Sequence, residues 1–453
     1  MRNPFKQMFA IRRDELPTAL LMASYFFLVI TSFWILKPIK KTLFLSYYHP
    51  EAQGSFDLLG WQLAGPQAEG LAKILNMVVV AVAVVVFTWL ARRFVRQQLT
   101  TIFSIFFGAC YLVFIPLFPK DLSVAGQDIV VWSFYLFGDL FSTVMVVTFF
   151  AFLNDSVNAD GAKRLYGVVG FGGVVGGAFA SAVRLAAGSN VTVTGWLLIL
   201  AGVTGAIVVL SQLAGRRVDR ARSEAEPEPE ATPASETATP AGNPVTEGAR
   251  LVFSSRYLLA IVGIVAMYEI VSTIMDFQFS QTVVHYSADP AALGRHFDIV
   301  FAFTNNFAMV VQLFLTSFVM QRFNVGGALL VLPVAALAAS LGFLALPILW
   351  IGSALNPADN AFSYSINQSA REALYVPTSR DEKYKAKAFI DMLVQRLAKA
   401  VAVFIAIGVT SVFTDFTGVR WLSLITAVIL VGWVATVRYA GRRFEELTRD
   451  ETT

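Results

Sequence analysis

Long apolar runs recur along this chain, broken by short polar stretches, and their spacing predicts twelve membrane-crossing helices. The runs fall at roughly 15 to 46, 69 to 91, 98 to 118, 127 to 153, 162 to 187, 193 to 213, 252 to 284, 297 to 320, 326 to 350, 354 to 376, 384 to 412 and 419 to 440. Each is about 20 residues or longer, enough to cross a hydrocarbon core of about 30 Å as a helix. Charge alternates between the connecting loops. Arg2, Lys6, Arg12 and Arg13, the Arg92-Arg93-Phe94-Val95-Arg96 loop, Lys163-Arg164, Arg216 to Arg222, Arg322, Arg380 to Lys387 and Arg438 to Arg443 occupy alternate connections. Loops 47 to 68, 119 to 127 and 285 to 296 carry few basic residues. Basic loops stay on the cytoplasmic side, so both termini are expected there. The first run is too long, and lacks the small-residue cleavage pattern, for a removable signal peptide.

The pattern changes in the middle. Residues 214 to 248 are rich in Pro, Ala, Glu, Ser and Thr and almost lack large apolar side chains. Such a stretch cannot bury enough surface to offset its ordering and is expected to be a disordered cytoplasmic linker. It separates a six-helix half over 1–213 from a second over 249–443, with a cytoplasmic tail at 444–453. The fold class expected is an all-α polytopic membrane protein, with twelve transmembrane helices in two six-helix halves. Six plus six is the plan of major-facilitator-like transporters, which hold substrate near the membrane midplane between their halves.

Composition agrees with the pattern. Hydrophobic residues make up 56% of the 453, charged residues 15%, and the mean hydropathy is +0.63, outside the range of soluble domains of this size. The net charge of +4 sits mostly at membrane edges, which the sidedness rule explains without a nucleic-acid partner. The single cysteine, Cys110, excludes an intrachain disulfide and a thiolate metal cluster.

Candidate chemistry lies where charge interrupts the apolar runs. Lys37, Lys40 and Lys41 stand inside the first run, and a lysine near a helix centre costs at least about 2.5 to 3.5 kcal/mol on insertion scales, so it marks a site by default. Spacings of three and four place the three largely on one helical face, able to converge on a multiply charged anion. Asp139 in the fourth run, and Glu269 and Asp276 in the seventh, are the carboxylates expected to pair with such lysines or to carry a proton. Lys73, Asn305, Asn306, Tyr364 and Asn367 add further polar groups, each equally readable as a contact between helices. Lys387, Asp391, Arg396 and Lys399 lead into the eleventh run, with Lys387 and Asp391 placed as an i,i+4 pair of opposite sign.

The fifth run contains YGVVGFGGVVGG, which lacks the last glycine of a dinucleotide fingerprint because Val175 stands there. Gly172 with Gly176, and Gly173 with Gly177, instead fit the small-x-x-x-small spacing of close helix packing. Neither a zinc-protease helix motif nor a nucleophile elbow occurs, and His49, His285 and His296 are expected in external loops. No catalytic residue, metal site or cofactor is expected. Phe134, Tyr135, Tyr268 and Tyr364 are aromatic residues able to stack on a base, among 39 phenylalanines that make such placement common.

Across nearly its whole length the chain resembles the plastid- and parasite-type ATP/ADP translocases. ILKPIKKTL at 35 to 43 is similar to that family's I-L-R-D-T-K-D-T-L, GDLF around Asp139 to A-E-L-W, FFAFLND at 149 to 155 to F-W-G-F-A-N-D, and AKRLYGVVGFG to A-K-R-F-Y-x-x-x-G-x-G. SRYLLAIVGIVAMYEIVSTIMDFQFS resembles a seventh-span block ending in L-V-E-V-T-W-K. Residues Ala373 to Lys399 resemble E-M-A-Y-I-P-L-D-E-E-x-K-x-K-G-K-A-A-I-D followed by P-L-G-K-S. The resemblance implies roles in nucleotide binding and exchange for Lys40, Asp139, Asp276, Lys387 and Lys399. The departures are Pro38 and Lys41 at two acidic positions of the first motif, Ser280 at its seventh-span lysine, and Arg396 at a small or apolar position.

The function expected is therefore transport of a nucleotide or related phosphorylated anion by alternating access and exchange, across a bacterial-type inner membrane. The alternatives are a carrier of another organic anion or an anionic lipid, with or without proton coupling, and a non-transporting scaffold. The partners expected are the anionic solute and the bilayer, with no obligate protein partner.

Overall fold

The computed structural model of the protein describes residues 15–50, 52, 54–118, 127–156, 159–224, 244–379 and 385–450. Among these, helices account for almost everything except one two-stranded hairpin. The first part of the chain forms α1 (Leu16–Tyr47), β1 (Ser55–Leu58), β2 (Trp61–Ala64), α2 (Gly65–Ala91), α3 (Arg96–Leu117), α4 (Asp128–Ser156), α5 (Ala159–Ala187) and α6 (Val193–Glu224). The later part forms α7 (Pro244–Ser254), α8 (Arg256–Tyr286), α9 (Pro290–Val310), α10 (Thr316–Arg322), α11 (Asn324–Ala345) and α12 (Leu349–Phe362). It closes with α13 (Gln368–Ala373), α14 (Lys387–Phe389), α15 (Gln395–Val412) and α16 (Trp421–Asp450). Three π-helical turns, Val311–Leu315, Ser363–Asn367 and Ile390–Val394, follow α9, α12 and α14.

Eleven helices among the described residues are long and apolar enough to cross a membrane. Their outer faces bear large apolar side chains with no protein cover, such as Val78, Val82 and Val85 on α2 and Val428 and Val431 on α16. Contiguous apolar surface on this scale requires an apolar solvent, so the chain is a multi-pass integral membrane protein. The tenth sequence run, 354 to 376, is helical but in pieces: α12, a π turn and α13. Asn356, Asp359 and Asn360 lower its hydropathy, and Pro357 inside α12 removes a backbone donor.

The chain divides into two compact units. One takes in α1 to α6, the hairpin and residues 288–305, which include the start of α9. In it α1 is central, packing against α2, α4, α5 and α6. The approach of α1 to α5 rests on the glycines. A Cβ on Gly172 would meet the Ala23 carbonyl oxygen at 2.6 Å, and one on Gly176 the Phe27 carbonyl oxygen at 2.6 Å. Thr31 Oγ1 donates to the Gly176 carbonyl at 3.3 Å, so this stripe serves helix packing.

The second unit holds α7, α8 and the described residues from 306 onward, with α8 packed against α11, α12, α15 and α16. Its core joins Ile261, Ile264, Leu332, Phe343, Leu430 and Trp433.

Two expectations are corrected. The linker is helical at both ends, because α6 continues through Glu224 and α7 begins at Pro244; residues 225–243 lie outside the described residues. Arg216 to Glu224 consists mostly of good helix formers, and Asp219 pins this extension by accepting from Arg96 and, at 2.8 Å, from Gln97 Nε2. The histidines depart from the expected solvated loops in different ways: His49 lies in the loop after α1 but is buried, His296 is buried within α9, and His285 is exposed but lies within α8, its ring stacked 3.9 Å from that of Phe416. At His285 and His296 the helices extend further toward the loops than the apolar runs do, whereas His49 lies past the end of α1.

Candidate functional site

The first unit brings charged residues from three helices together. Lys40 and Lys41 lie well inside α1, 5% and 3% exposed, where neither can reach bulk water and each needs an anionic partner. α4 supplies Asp139, whose carboxylate takes the Lys40 ammonium, and Tyr135, whose ring centroid lies 4.2 Å from the same nitrogen. Gly138 makes room for this arrangement, since a Cβ there would stand 2.6 Å from Lys40 Cδ. α2 supplies Glu69, 2% exposed. Its Oε1 is 3.1 Å from Lys41 Nζ and 3.5 Å from Lys73 Nζ, and accepts from the Tyr135 hydroxyl at 3.0 Å. Lys40, Asp139, Tyr135, Glu69, Lys41 and Lys73 thus form one continuous polar network within the apolar bundle.

Lys37, one turn before Lys41, stands among rings instead. Its nitrogen lies 4.5 Å from the Trp34 centroid, 5.8 Å from Phe33 and 5.3 Å from Phe301 in the middle of α9. Phe297 lies 5.6 Å from Lys41 in the same way. Aromatic faces stabilise a desolvated ammonium by cation–π attraction.

A second ion pair closes the same unit. Arg184 at the end of α5 holds Asp298 with both ends of its guanidinium, Nε at 3.2 Å and Nη2 at 2.9 and 3.0 Å, and its guanidinium carbon lies 5.0 Å from the Trp196 ring. Asn305 Nδ2 donates to Ser181 Oγ on α5. Outside the membrane span, burial and the hydrogen bond to Asp128 both push the Tyr48 phenol well above its ordinary range.

In the second unit the predicted residues are more dispersed. Glu269 on α8 is buried and meets Lys399 of α15 at 3.4 Å; Lys399 itself is about half exposed. Asp276, two turns further along α8, is half-buried, and its carbonyl accepts from the Ser280 hydroxyl at 2.9 Å. Lys387 bonds Glu372 at 2.6 Å, not Asp391 as the i,i+4 spacing suggested, and Asp391 accepts from Gln395 at 2.8 Å. The π turn at Ile390–Val394 changes the helical periodicity just past Lys387, which explains the altered pairing. Arg396 is half-buried on α15, and Asn306 is exposed on α9. Asn367 is 1% exposed, with neither amide atom hydrogen-bonded. The side chain of Tyr364 lies outside the described residues.

Sequence reading missed Glu69, Arg184, Asp298 and Asp359, the last of which accepts from Ser272 at 2.5 Å. Glu69 carried a signal, four residues before Lys73, but it fell at the predicted edge of its run. Arg184 and Asp298 likewise fell at run ends.

Comparison with known proteins places these residues in context. A model of the TLC ATP/ADP transporter family matches residues 2–350 and 346–444. The chain is 23% identical over 354 residues to the plastidic ATP/ADP-transporter of Solanum tuberosum, covering 71% of this chain and 55% of that protein. It is 22% identical over 456 residues to ADP,ATP carrier protein 2 of Chlamydia trachomatis, covering 85% of this chain and 83% of the relative. A chloroplastic ADP,ATP carrier of Arabidopsis thaliana is covered over 63% of its length, so the chain spans less than two thirds of the plastid relatives. Among solved structures, the nucleoside transporter NupG aligns with a TM-score of 0.59 at 13% identity, over 93% of this chain and 99% of that one. A bacterial homolog of the lysosomal transporter Spinster aligns at 0.54 and 14%, over 96% and 99%. At these identities the structural matches show a shared fold and nothing more.

Proposed function

Because the chain belongs to the TLC ATP/ADP transporter family, we propose that it exchanges a nucleotide, ATP- or ADP-like, across a bacterial-type inner membrane by alternating access. The observation that carries this reading is the buried network of the first unit, in which Lys40 and Lys41 are each held by a carboxylate from another helix. A phosphate offers those lysines charge-assisted hydrogen bonds of the same kind. Phosphate oxygens therefore take the places of the Asp139 and Glu69 carboxylates, and the carboxylates return when the nucleotide leaves. Lys37, within 4.5 Å of the Trp34 ring, is a third lysine of the same helix that contributes to phosphate binding. In the second half, Asp276, Lys387, Arg396 and Lys399 contribute to binding. Twelve spans in two halves, joined through residues 225–243, and cytoplasmic termini complete this proposal.

One observation favours a second reading, a carrier of another phosphorylated anion. Pro38 and Lys41 stand where acidic residues occupy the family's first-span motif, and Lys41 is buried against Glu69, which makes this site more basic.

Thermal unfolding of the detergent-solubilised protein with ATP, ADP, inorganic triphosphate and adenosine separates these readings. Nucleotide exchange requires ATP and ADP to raise the midpoint more than triphosphate does. Equal stabilisation by triphosphate selects the second reading, and stabilisation by none of the anions contradicts both.

A further inference from the structure

The β1–β2 hairpin between α1 and α2 takes no part in the lysine network, yet its sequence is costly. Its strands pair Ser55 with Ala64 through Leu58 with Trp61, leaving a two-residue loop, Leu59-Gly60, with φ of 55° and 91°. A hairpin turn with both residues at positive φ favours Asn-Gly or Asp-Gly, because asparagine and aspartate tolerate left-handed backbone and leucine does not. Leu59 nevertheless occupies it and is 98% exposed, beside Trp61 at 69% and Leu58 at 39%. Three large apolar side chains at a strained turn gain nothing from the fold, and strain of this kind points to a role outside it.

The stem is well fixed. The Phe56 ring lies 4.9 Å from Trp132 and 5.9 Å from Tyr48, and Trp132 Nε1 donates to the Tyr48 hydroxyl at 2.8 Å. The carboxylate of Asp57 is occupied, accepting from the Gly60 N–H at 2.9 Å and from Gln62 Nε2 at 2.7 Å. At its tip the hairpin presents Leu58, Leu59 and Trp61 outward, next to the exposed Asp57–Gln62 pair whose polar groups bond each other.

The surroundings identify what covers them. α1 ends at Tyr47 and α2 begins at Gly65, and both cross the membrane, so the whole hairpin lies at one bilayer surface. Further along, α2 exposes Leu75, Val78, Val82, Val85 and Val86 to lipid, so the hairpin is continuous with a membrane-facing element. Tryptophan and leucine are the side chains that the headgroup region accepts. We propose that the Leu58–Trp61 tip is an interfacial anchor seated in the lipid headgroup layer. This inference does not depend on what the protein transports.

The test uses the full chain in phosphatidylcholine vesicles. The emission of Trp61 is isolated as the difference between the parent and Trp61→Phe, and quenched by lipids brominated near the headgroup, by lipids brominated near the chain end, and by aqueous iodide. The anchor requires strong quenching by the shallow bromines, weaker quenching by the deep ones, and protection from iodide. Leu59→Asn suits the turn better, so the hairpin stays folded, with an unchanged or higher melting temperature, while shallow quenching falls. A Trp61 open to iodide and untouched by bromine overturns the proposal. So does protection from both quenchers, which would mean that protein covers the tip, and shallow quenching that survives Leu59→Asn removes Leu59 from the anchor.

Discussion

At the scale of single residues, the site is an argument about where a charge finds its partner. Lys40 and Lys41 are costly in an apolar helix, and the structure meets that cost with Asp139 and Glu69 from two other helices. Glu69→Gln tests the shared role of that carboxylate. The amide still accepts from Tyr135, but Lys41 and Lys73 lose a common counter-charge, a loss of about 3 to 5 kcal/mol when one partner of a buried pair is removed. The melting temperature is expected to fall by several degrees, and triphosphate, which brings negative charge back, is expected to raise it more than in the parent. An unchanged midpoint would remove Glu69 from the network. The lysines were legible in the sequence because charge inside an apolar run stands out. Glu69 was not, because hydropathy marks where a run begins and says nothing of the extra turn, Gly65 to Ala68, that carries α2 past it.

At the scale of elements, glycine spacing read close helix packing on α5 correctly, and the structure adds that α1 is the partner. Gly172→Ala places a methyl 2.6 Å from the Ala23 carbonyl oxygen, against backbone that cannot step aside, while Gly170 has nothing within 4 Å of its would-be Cβ. Gly172→Ala is expected to cost about 1 to 3 kcal/mol as overpacking does. Thermal unfolding checks it, with Gly170→Ala unchanged as the control; equal behaviour of the two variants would contradict the close crossing. Periodicity was less informative for the second unit. The π turns at Val311–Leu315, Ser363–Asn367 and Ile390–Val394 shift side chains off the regular helical faces, so Lys387 finds Glu372 where spacing pointed to Asp391.

At the scale of the whole molecule, the apolar runs were enough to identify a multi-pass membrane protein, and a family resemblance was needed to propose what it carries. Contacts divide the chain differently from sequence order. Residues 288–305 follow α8 along the chain yet belong with α1 to α6, held by Arg184 to Asp298 and by Asn305 to Ser181. Tertiary polar contacts of this kind leave no trace in hydropathy. They add to a unit whose centre is the lysine network, and that network bears the main claim. The direct measurement is uptake of labelled ATP into proteoliposomes loaded with ADP, beside empty vesicles, for the parent and for Lys40→Ala. Nucleotide exchange predicts uptake that depends on internal ADP. Loss of one charge-assisted hydrogen bond worth about 1.5 to 3 kcal/mol lowers it roughly 10- to 100-fold in Lys40→Ala. Uptake that ignores internal ADP, or that survives intact without Lys40, would contradict the account.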